Sequence, residues 1–366
     1  VNLLYIITGL GMGGAEKQTV LIANKMHEAG HNVMIISLTG DTLVKPTDGV
    51  QLNELKLEKT PFSLFKGLFK VRKIIKKFKP DIVHSHMFHA NLFARLLRTF
   101  TKIPVLICTA HNTNEGSSLR MLAYKYTDKL ASLSTNVSQD AVDSFIQKGA
   151  STAARMIVVS NGIDTSQFDF SMDDRKKKRS ELGIFDDTPM LLSVGRLTEA
   201  KDYPNLLTAY SLLIKNNKFQ SFPRLFIVGT GHLEGQLKSM SKEFGIENYV
   251  TFLGQRNDIR QLMCAADIFI LSSEWEGFPL VITEAMACKK LIVATDAGGI
   301  TEALGDCGSV VPVKDPARLS QEINKMINLS DEQKEILGNK VRERIKQTNS
   351  IEKIIERWMS IYTQYY

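Results

Sequence analysis

The stretch "EGFPLVITEA" at 276–285 places two carboxylates, Glu276 and Glu284, eight positions apart around a Gly277-Phe278-Pro279 turn. An apolar strand precedes it and a helix follows, with Pro279 in the first turn, where its missing N–H costs nothing. The N–H groups of Phe278, Leu280 and Val281 can then point at an anion, and the helix dipole favours a phosphate there. Glu284, further along the helix, can accept paired hydrogen bonds from a ribose diol. Glu276 stands on the loop side, near whatever the phosphate carries. One motif thus spans sugar, diphosphate and ribose, which is the chemistry of a nucleotide-sugar ligand; a strand-to-helix turn with two solvated glutamates is the alternative. A second stretch, "SVGRLTEAKDYP" at 193–204, sets Arg196 and Lys201 just past a strand end. Two cations there can neutralise a diphosphate that gains charge as a bond to it breaks.

The N-terminal half carries similar loops. "TGLGMGGAEK" at 8–17 runs from a strand through Gly9, Gly11, Gly13 and Gly14 into a helix, and converging N–H groups at a helix start favour an anion. Its offsets are those of neither a dinucleotide fingerprint nor a P-loop, and a tight turn without ligand is the alternative. "DIVHSHMFHAN" at 81–91 holds His84, His86 and His89. A metal site needs three convergent ligands, whereas His89 opens the next helix, so His86 is read as a polar residue of a binding cleft. His111, just beyond another strand end, can bond a hydroxyl or assist proton movement, with a structural role as the alternative. The loop "LGQRNDI" at 253–259, with Arg256, also follows a strand and is expected to face the nucleotide base.

These loops need strands to end where they begin. Short β-branched runs alternate with amphipathic stretches twice over. Strands are expected at 3–8, 33–38, 52–57, 82–85, 105–109, 132–137 and 156–159, then at 190–194, 224–228, 250–253, 268–271, 291–294 and 309–312. Helices are expected at 15–29, 63–79, 88–99 and 139–148 in the first half. Such alternation predicts α/β architecture with parallel sheets covered on both faces, here two doubly wound domains. The polar stretch 164–187 reads as the linker, and a last helix begins after Ser350 as N-cap, with half a capping box. In open α/β sheets ligands sit outside the C-terminal strand ends, so two domains facing across a cleft offer one shared site.

Composition sets the remaining bounds. A chain of 366 residues at 43% hydrophobic can bury two cores, and its net charge of +7 suits an anionic partner. No apolar run approaches the ~20 residues of a membrane span, and the N-terminus reads as a strand without signal-peptide features. Cys108, Cys264, Cys288 and Cys307 show no metal spacing and read as reduced core residues of a cytoplasmic protein. Residues 63–80 hold seven Lys/Arg and no acid. On a helical wheel Leu64, Leu68, Val71, Ile75 and Phe78 form a core stripe, opposite Lys66, Lys70, Lys73 and Lys77. Phe62, Phe65 and Phe69 form a shoulder between them, a pattern suited to an anionic membrane surface, with a solvated basic helix whose Phe residues pack under a loop as the alternative. Nucleic acid is not the expected partner, since neither an RNP-type motif nor a recognition helix is present.

Taken together, "EGFPLVITEA", "VGRLTEAKDY", "LFIVGTGHLEGQL" and "GMGGAEK" resemble glycosyltransferase family 4, over nearly the whole chain. The resemblance implies the GT-B fold of two Rossmann-like domains, 1–164 on the acceptor side and 165–349 on the donor side, with 350–366 packing back on the first. It implies retaining transfer of a sugar from a nucleotide diphosphate without metal or other cofactor, and no D-x-D metal motif occurs. Arg196 and Lys201 match the family's diphosphate clamp, Glu276 the glutamate near the donor sugar, and Glu284 the ribose-binding one. His111 resembles the histidine lining the sugar pocket, and Gly13 and Gly14 the loop closing over phosphate and acceptor. The expected donor is a UDP-sugar carrying a hexose or N-acetylhexosamine. The acceptor is a glycan or polyprenyl-diphosphate-linked glycan of bacterial capsule or O-antigen synthesis, at the inner face of the cytoplasmic membrane. Two readings compete: a nucleotide-sugar epimerase or hydrolase of the same fold, and a non-catalytic nucleotide-sugar-binding subunit.

Overall fold

The computed structural model describes residues 1–365 except 59, 114 and 186. Asp186 of the expected linker and Tyr366 of the expected last helix therefore lie outside the described residues. The chain divides into two compact units, Val1–Gly162 with the segment from Ile351 onward, and Ile163–Ser350.

In the first unit seven parallel strands lie in the order β3-β2-β1-β4-β5-β6-β7. They are β1 (Asn2–Ile7), β2 (Asn32–Ser37), β3 (Gln51–Glu54), β4 (Ile82–His86), β5 (Val105–Thr109), β6 (Leu133–Asn136) and β7 (Met156–Val158). The helices between them are α1 (Gly14–Glu28), α2 (Pro61–Phe78), α3 (Phe88–Arg98), α4 (Ser118–Thr127) and α5 (Gln139–Gln147). The period-two alternation of a strand sends Leu3, Tyr5 and Ile7 to one face and Leu4 and Ile6 to the other, and both faces are buried. The first face packs on α1 and on Ile354, Trp358 and Tyr362 of the last helix. The second packs on α2 and α3 through Leu68, Val71, Ile75, Phe93 and Leu97. Each such fully buried side chain contributes about 1.5–3 kcal/mol.

α2 starts where Thr60 accepts the Ser63 N–H and Pro61 fills the first turn, and it ends at Lys79 in the left-handed region. The expected core stripe is corrected at one end. Leu64 is exposed, and Gly67 instead packs against Leu57, leaving no room for a β-carbon.

The second unit contains α6 (Met172–Glu181), β8 (Met190–Val194), α7 (Tyr203–Asn216), β9 (Arg224–Val228), α8 (Glu234–Glu243), β10 (Val250–Gly254) and α9 (Ile259–Ala265). Then come β11 (Ile268–Leu271), α10 (Leu280–Ala287), β12 (Leu291–Thr295), α11 (Ile300–Leu304), β13 (Ser309–Val311), α12 (Pro316–Ile327) and α13 (Asp331–Asn349); α14 (Ile351–Tyr365) returns to the first unit. The six parallel strands run β10-β9-β8-β11-β12-β13, so winding reverses between β8 and β11.

The expected linker is corrected here. Its middle is α6, capped by Ser171 and packed into the second unit. Arg175 pairs with Asp267 at 2.6 Å, and buried Arg179 reaches the same carboxylate at 3.3 Å. A full capping box stands at Ser330 and Gln333, opening α13, while the last helix begins at Ile351. Among the described residues no helix is long and apolar enough to cross a membrane.

Candidate functional site

In the second unit the loops after β8, β9, β11 and β12 are stitched together by backbone contacts. Glu274 N–H donates to Ala200 O at 2.9 Å and Ser272 Oγ to Lys201 O at 2.8 Å, joining the loop after β11 to the one after β8. Gly299 N–H donates to Gly277 O at 3.0 Å. The approach is close enough that a β-carbon on Gly298, at φ +61°, would lie 2.1 Å from Glu276 O. The loop after β9 crosses equally close, with a β-carbon on Gly229 falling 1.9 Å from Gly195 O. Glycine is required at both places because backbone lies against backbone.

This stitching brings together residues that are far apart in sequence. Lys201 Nζ forms an ion pair with Glu276 Oε1, which also accepts Ser273 Oγ at 2.6 Å. Ser273 is held in turn, its carbonyl accepting Thr295 Oγ1 at 2.6 Å. Lys201 is thus balanced by a carboxylate. Arg196 differs: it is exposed, and its guanidinium has no partner among the described residues. On the other side of the turn Pro279 takes the N-cap position rather than the first helical turn, and α10 begins at Leu280. The N–H groups of Leu280 and Val281 lie in the first turn, ahead of any intrahelical acceptor. Phe278 buries its ring, and Glu284, one turn into α10, is buried at 7% exposure. A single-turn reach therefore separates a donor-rich helix start from a shielded carboxylate.

Arg256, on the loop after β10, has its guanidinium paired with Asp258 at 2.6 Å and with Glu181 of α6 at 3.3 Å. Lys178 reaches the same two acids. The cations hold the Asp258 carboxyl far below the usual carboxylate range. This network fastens α6 to the loop after β10.

The first unit's residues fall on loops and strand ends of its own sheet. Gly13 caps α1 and Gly14 is its first residue. Beside Gly13 the Glu16 carboxylate folds back, so that a β-carbon there would meet Glu16 Oε2 at 2.3 Å. The helix start expected to receive an anion therefore carries an acid of the chain. His86 is also corrected: it is buried at 1% exposure, beneath His111 rather than lining a surface. His86 Nδ1 and His111 Nε2 are 3.1 Å apart. His84 stacks on His86 at 4.1 Å and uses both ring nitrogens, toward Tyr362 Oη and Thr109 Oγ1 at 2.7 Å each. Burial lowers the His111 pKa to about 4, so its ring is neutral at pH 7.

Three features escaped sequence reasoning. Ser273 and the Gly298-Gly299 pair buttress Glu276; the glycines follow a strand, the same signal used for the other loops. Glu115, in the loop after β5, is buried, and desolvation pushes its carboxyl up to about 7. Among the described residues no cluster of three or more His, Cys, Asp or Glu is arranged to hold a metal ion. The four cysteines are buried and free.

Comparison with known proteins covers both units. Residues 12–167 match the model of Glycosyltransferase Family 4, and residues 174–344 that of Glycosyl transferases group 1. An Escherichia coli UDP-Gal:alpha-D-GlcNAc-diphosphoundecaprenol alpha-1,3-galactosyltransferase is 25% identical, over 81% of this chain and 79% of its own. A Campylobacter jejuni alpha-1,4-N-acetyl-D-galactosaminyltransferase, whose name gives a diphosphoundecaprenol-linked glycan as acceptor, is 26% identical over 100% of this chain and 99% of its own. In fold, a glycosyltransferase from Rickettsia africae matches with TM-score 0.86 at 22% identity, covering 99% of this chain and 98% of that one. The Anabaena protein HepE in complex with UDP matches at 0.83 and 23%, covering 100% of both.

Proposed function

The chain belongs to glycosyltransferase family 4 and has its GT-B fold, and from that premise we propose that it transfers a sugar from UDP to a lipid-diphosphate-linked glycan with retention at the anomeric carbon. The observation that carries this reading is the stitched loop cluster. It gathers Glu276, Lys201, an exposed Arg196 and the first turn of α10 into one unit, with Glu284 shielded one turn behind. UDP is the nucleotide in the HepE complex, and undecaprenyl diphosphate carries the acceptor in two relatives' names.

The bond from the sugar's C1 to the diphosphate oxygen breaks, and charge accumulates on the departing UDP. Arg196, Lys201 and the N–H groups of Leu280 and Val281 stabilise that charge. Glu284 holds the ribose diol. Glu276, already bonded by Ser273, orients a donor-sugar hydroxyl. A diphosphate oxygen takes the acceptor hydroxyl's proton on the face from which UDP leaves, and the new C1–O bond forms there. Of the first unit's residues, His111 is assigned a hydrogen bond to a sugar oxygen. No metal enters this scheme, since fixed cations offset the leaving group's charge.

A panel of nucleoside diphosphates in thermal melts, run in EDTA, tests the donor assignment. UDP at about 100-fold its Kd is expected to add about 2.7 kcal/mol of stability, with GDP and ADP adding less. Stabilisation that appears only when Mg²⁺ or Mn²⁺ is restored contradicts the cation clamp.

A lipid-linked acceptor makes membrane docking useful, and α2 carries the means. Phe62, Leu64, Phe65 and Phe69 are exposed, Phe62 at 67%, and Phe65 and Phe69 pack edge to face at 4.8 Å. Lys66 Nζ sits 4.3 Å over the Phe62 ring, so cation and apolar surface are presented together. Each Lys near an anionic bilayer contributes about 1 kcal/mol. The chain is expected to co-sediment with anionic but not neutral vesicles at low salt. Changing Lys66, Lys70, Lys73 and Lys77 to Ser is expected to weaken this at least about tenfold, and undiminished binding by that variant contradicts the assignment.

A further inference from the structure

The buried pair His86–His111 has a defect that reveals where its protons are. His86 Nδ1 faces His111 Nε2 at 3.1 Å, while His86 Nε2 is buried with no hydrogen-bond partner among the described residues. Two neutral arrangements satisfy the short contact. If His111 donates from Nε2, His86 must carry its proton on Nε2, which strands a buried N–H without an acceptor. If His86 donates from Nδ1, only a lone pair at Nε2 is left unpaired. Orphaned buried N–H groups are the rarer and costlier defect, so the second arrangement holds. His86 cannot turn to escape the choice. His84 stacks on one side at 4.1 Å, and His84 is itself tied at both nitrogens, to Tyr362 of α14 and Thr109 of β5.

We infer that His86 is a positioning residue that fixes His111 as its Nδ1–H tautomer, making His111 a neutral hydrogen-bond donor to a sugar oxygen. Free histidine prefers the other tautomer, with the proton on Nε2, so the preference is imposed by the fold. His111 is only partly buried, and its Nδ1 has no partner among the described residues, which leaves that N–H for a ligand. A donor at this place recognises a hydroxyl or carbonyl oxygen and does not serve as a base. The tautomer follows from the protein alone. The sugar as its target rests on the function proposed above.

Selective ¹⁵N labelling of histidine with long-range ¹H–¹⁵N correlation spectra of the ligand-free protein reads both rings. Protons on Nδ1 of His86 and Nδ1 of His111 are expected, and a proton on Nε2 of His111 overturns the inference. His86→Asn keeps an N–H close to the place of Nδ1 and is expected to preserve the His111 tautomer and turnover. His86→Leu removes it, so His111 is expected to revert to Nε2–H, with turnover about tenfold lower, the order of one neutral hydrogen bond, and UDP affinity unchanged. A His111 tautomer that ignores the Leu substitution, or unchanged turnover after it has switched, overturns the positioning role. If the wild-type spectra match but no nucleotide sugar is consumed by the parent protein, the tautomer assignment stands and the proposed function fails.

Discussion

An Arg196→Ala variant is expected to fold and melt like the parent while transferring sugar about 10²–10³-fold more slowly, the loss typical of one donor to a developing anion. Stability is spared because the guanidinium is exposed and unpartnered among the described residues, so its removal leaves nothing uncompensated. Lys201→Ala is expected to lose as much rate and to melt lower as well. Lys201 and Glu276 are 17% and 13% exposed, and removing one strands the other's charge. Fully buried pairs lose about 3–5 kcal/mol in this way, and the residual exposure here brings the expectation to about 1–3 kcal/mol. Thermal melts beside initial rates separate the two variants. Equal melting of both, or parental rates in Arg196→Ala, contradicts the division between a free cation and a paired one.

The two glutamates that frame the turn are expected to fail differently. Glu284→Ala removes a shielded carboxylate proposed to accept two ribose hydrogen bonds, worth together about 3 kcal/mol, so UDP affinity is expected to fall on the order of 10²-fold. Glu276→Ala is expected to leave UDP affinity within about threefold and to lower turnover by about 10² or more, because the proposed partner of Glu276 is the sugar that UDP lacks. Calorimetric titration with UDP, paired with turnover, reads both. An equal loss of UDP affinity in the two variants removes the assignment of ribose to one and sugar to the other.

What the residue order reveals, and what it hides, divides along sequence distance. The strand ends, the glycine loops and the turn at 276–285 are announced by neighbours: alternating apolar residues, Gly beside Gly, a proline before an apolar run. α6 was hidden because its residues look solvated. Its arginines are held by Asp267, about ninety positions away, and only the folded chain brings them together. The same holds for Arg256, paired with Glu181 of α6 as well as with Asp258 of its own loop. On α2 the wheel placed Leu64 inward, but Gly67 lets Leu57 approach there and rotates the buried face. The Lys201–Glu276 pair spans 75 positions, and each partner was legible while their contact was not. His86 was read as lining a cleft because a strand end suggests exposure; the side-chain layering that puts it under His111 has no local signature.

Sugar transfer itself is the central claim, and its most direct measurement is acceptor-dependent conversion. UDP-hexoses and UDP-N-acetylhexosamines are incubated in EDTA with and without a polyprenyl-diphosphate-linked glycan, following UDP release and the anomeric proton of the product. The expected result is UDP release that requires the acceptor, with a product bond of the same anomeric configuration as the donor. Donor consumption at the same rate without acceptor, or a product of inverted configuration, contradicts the account.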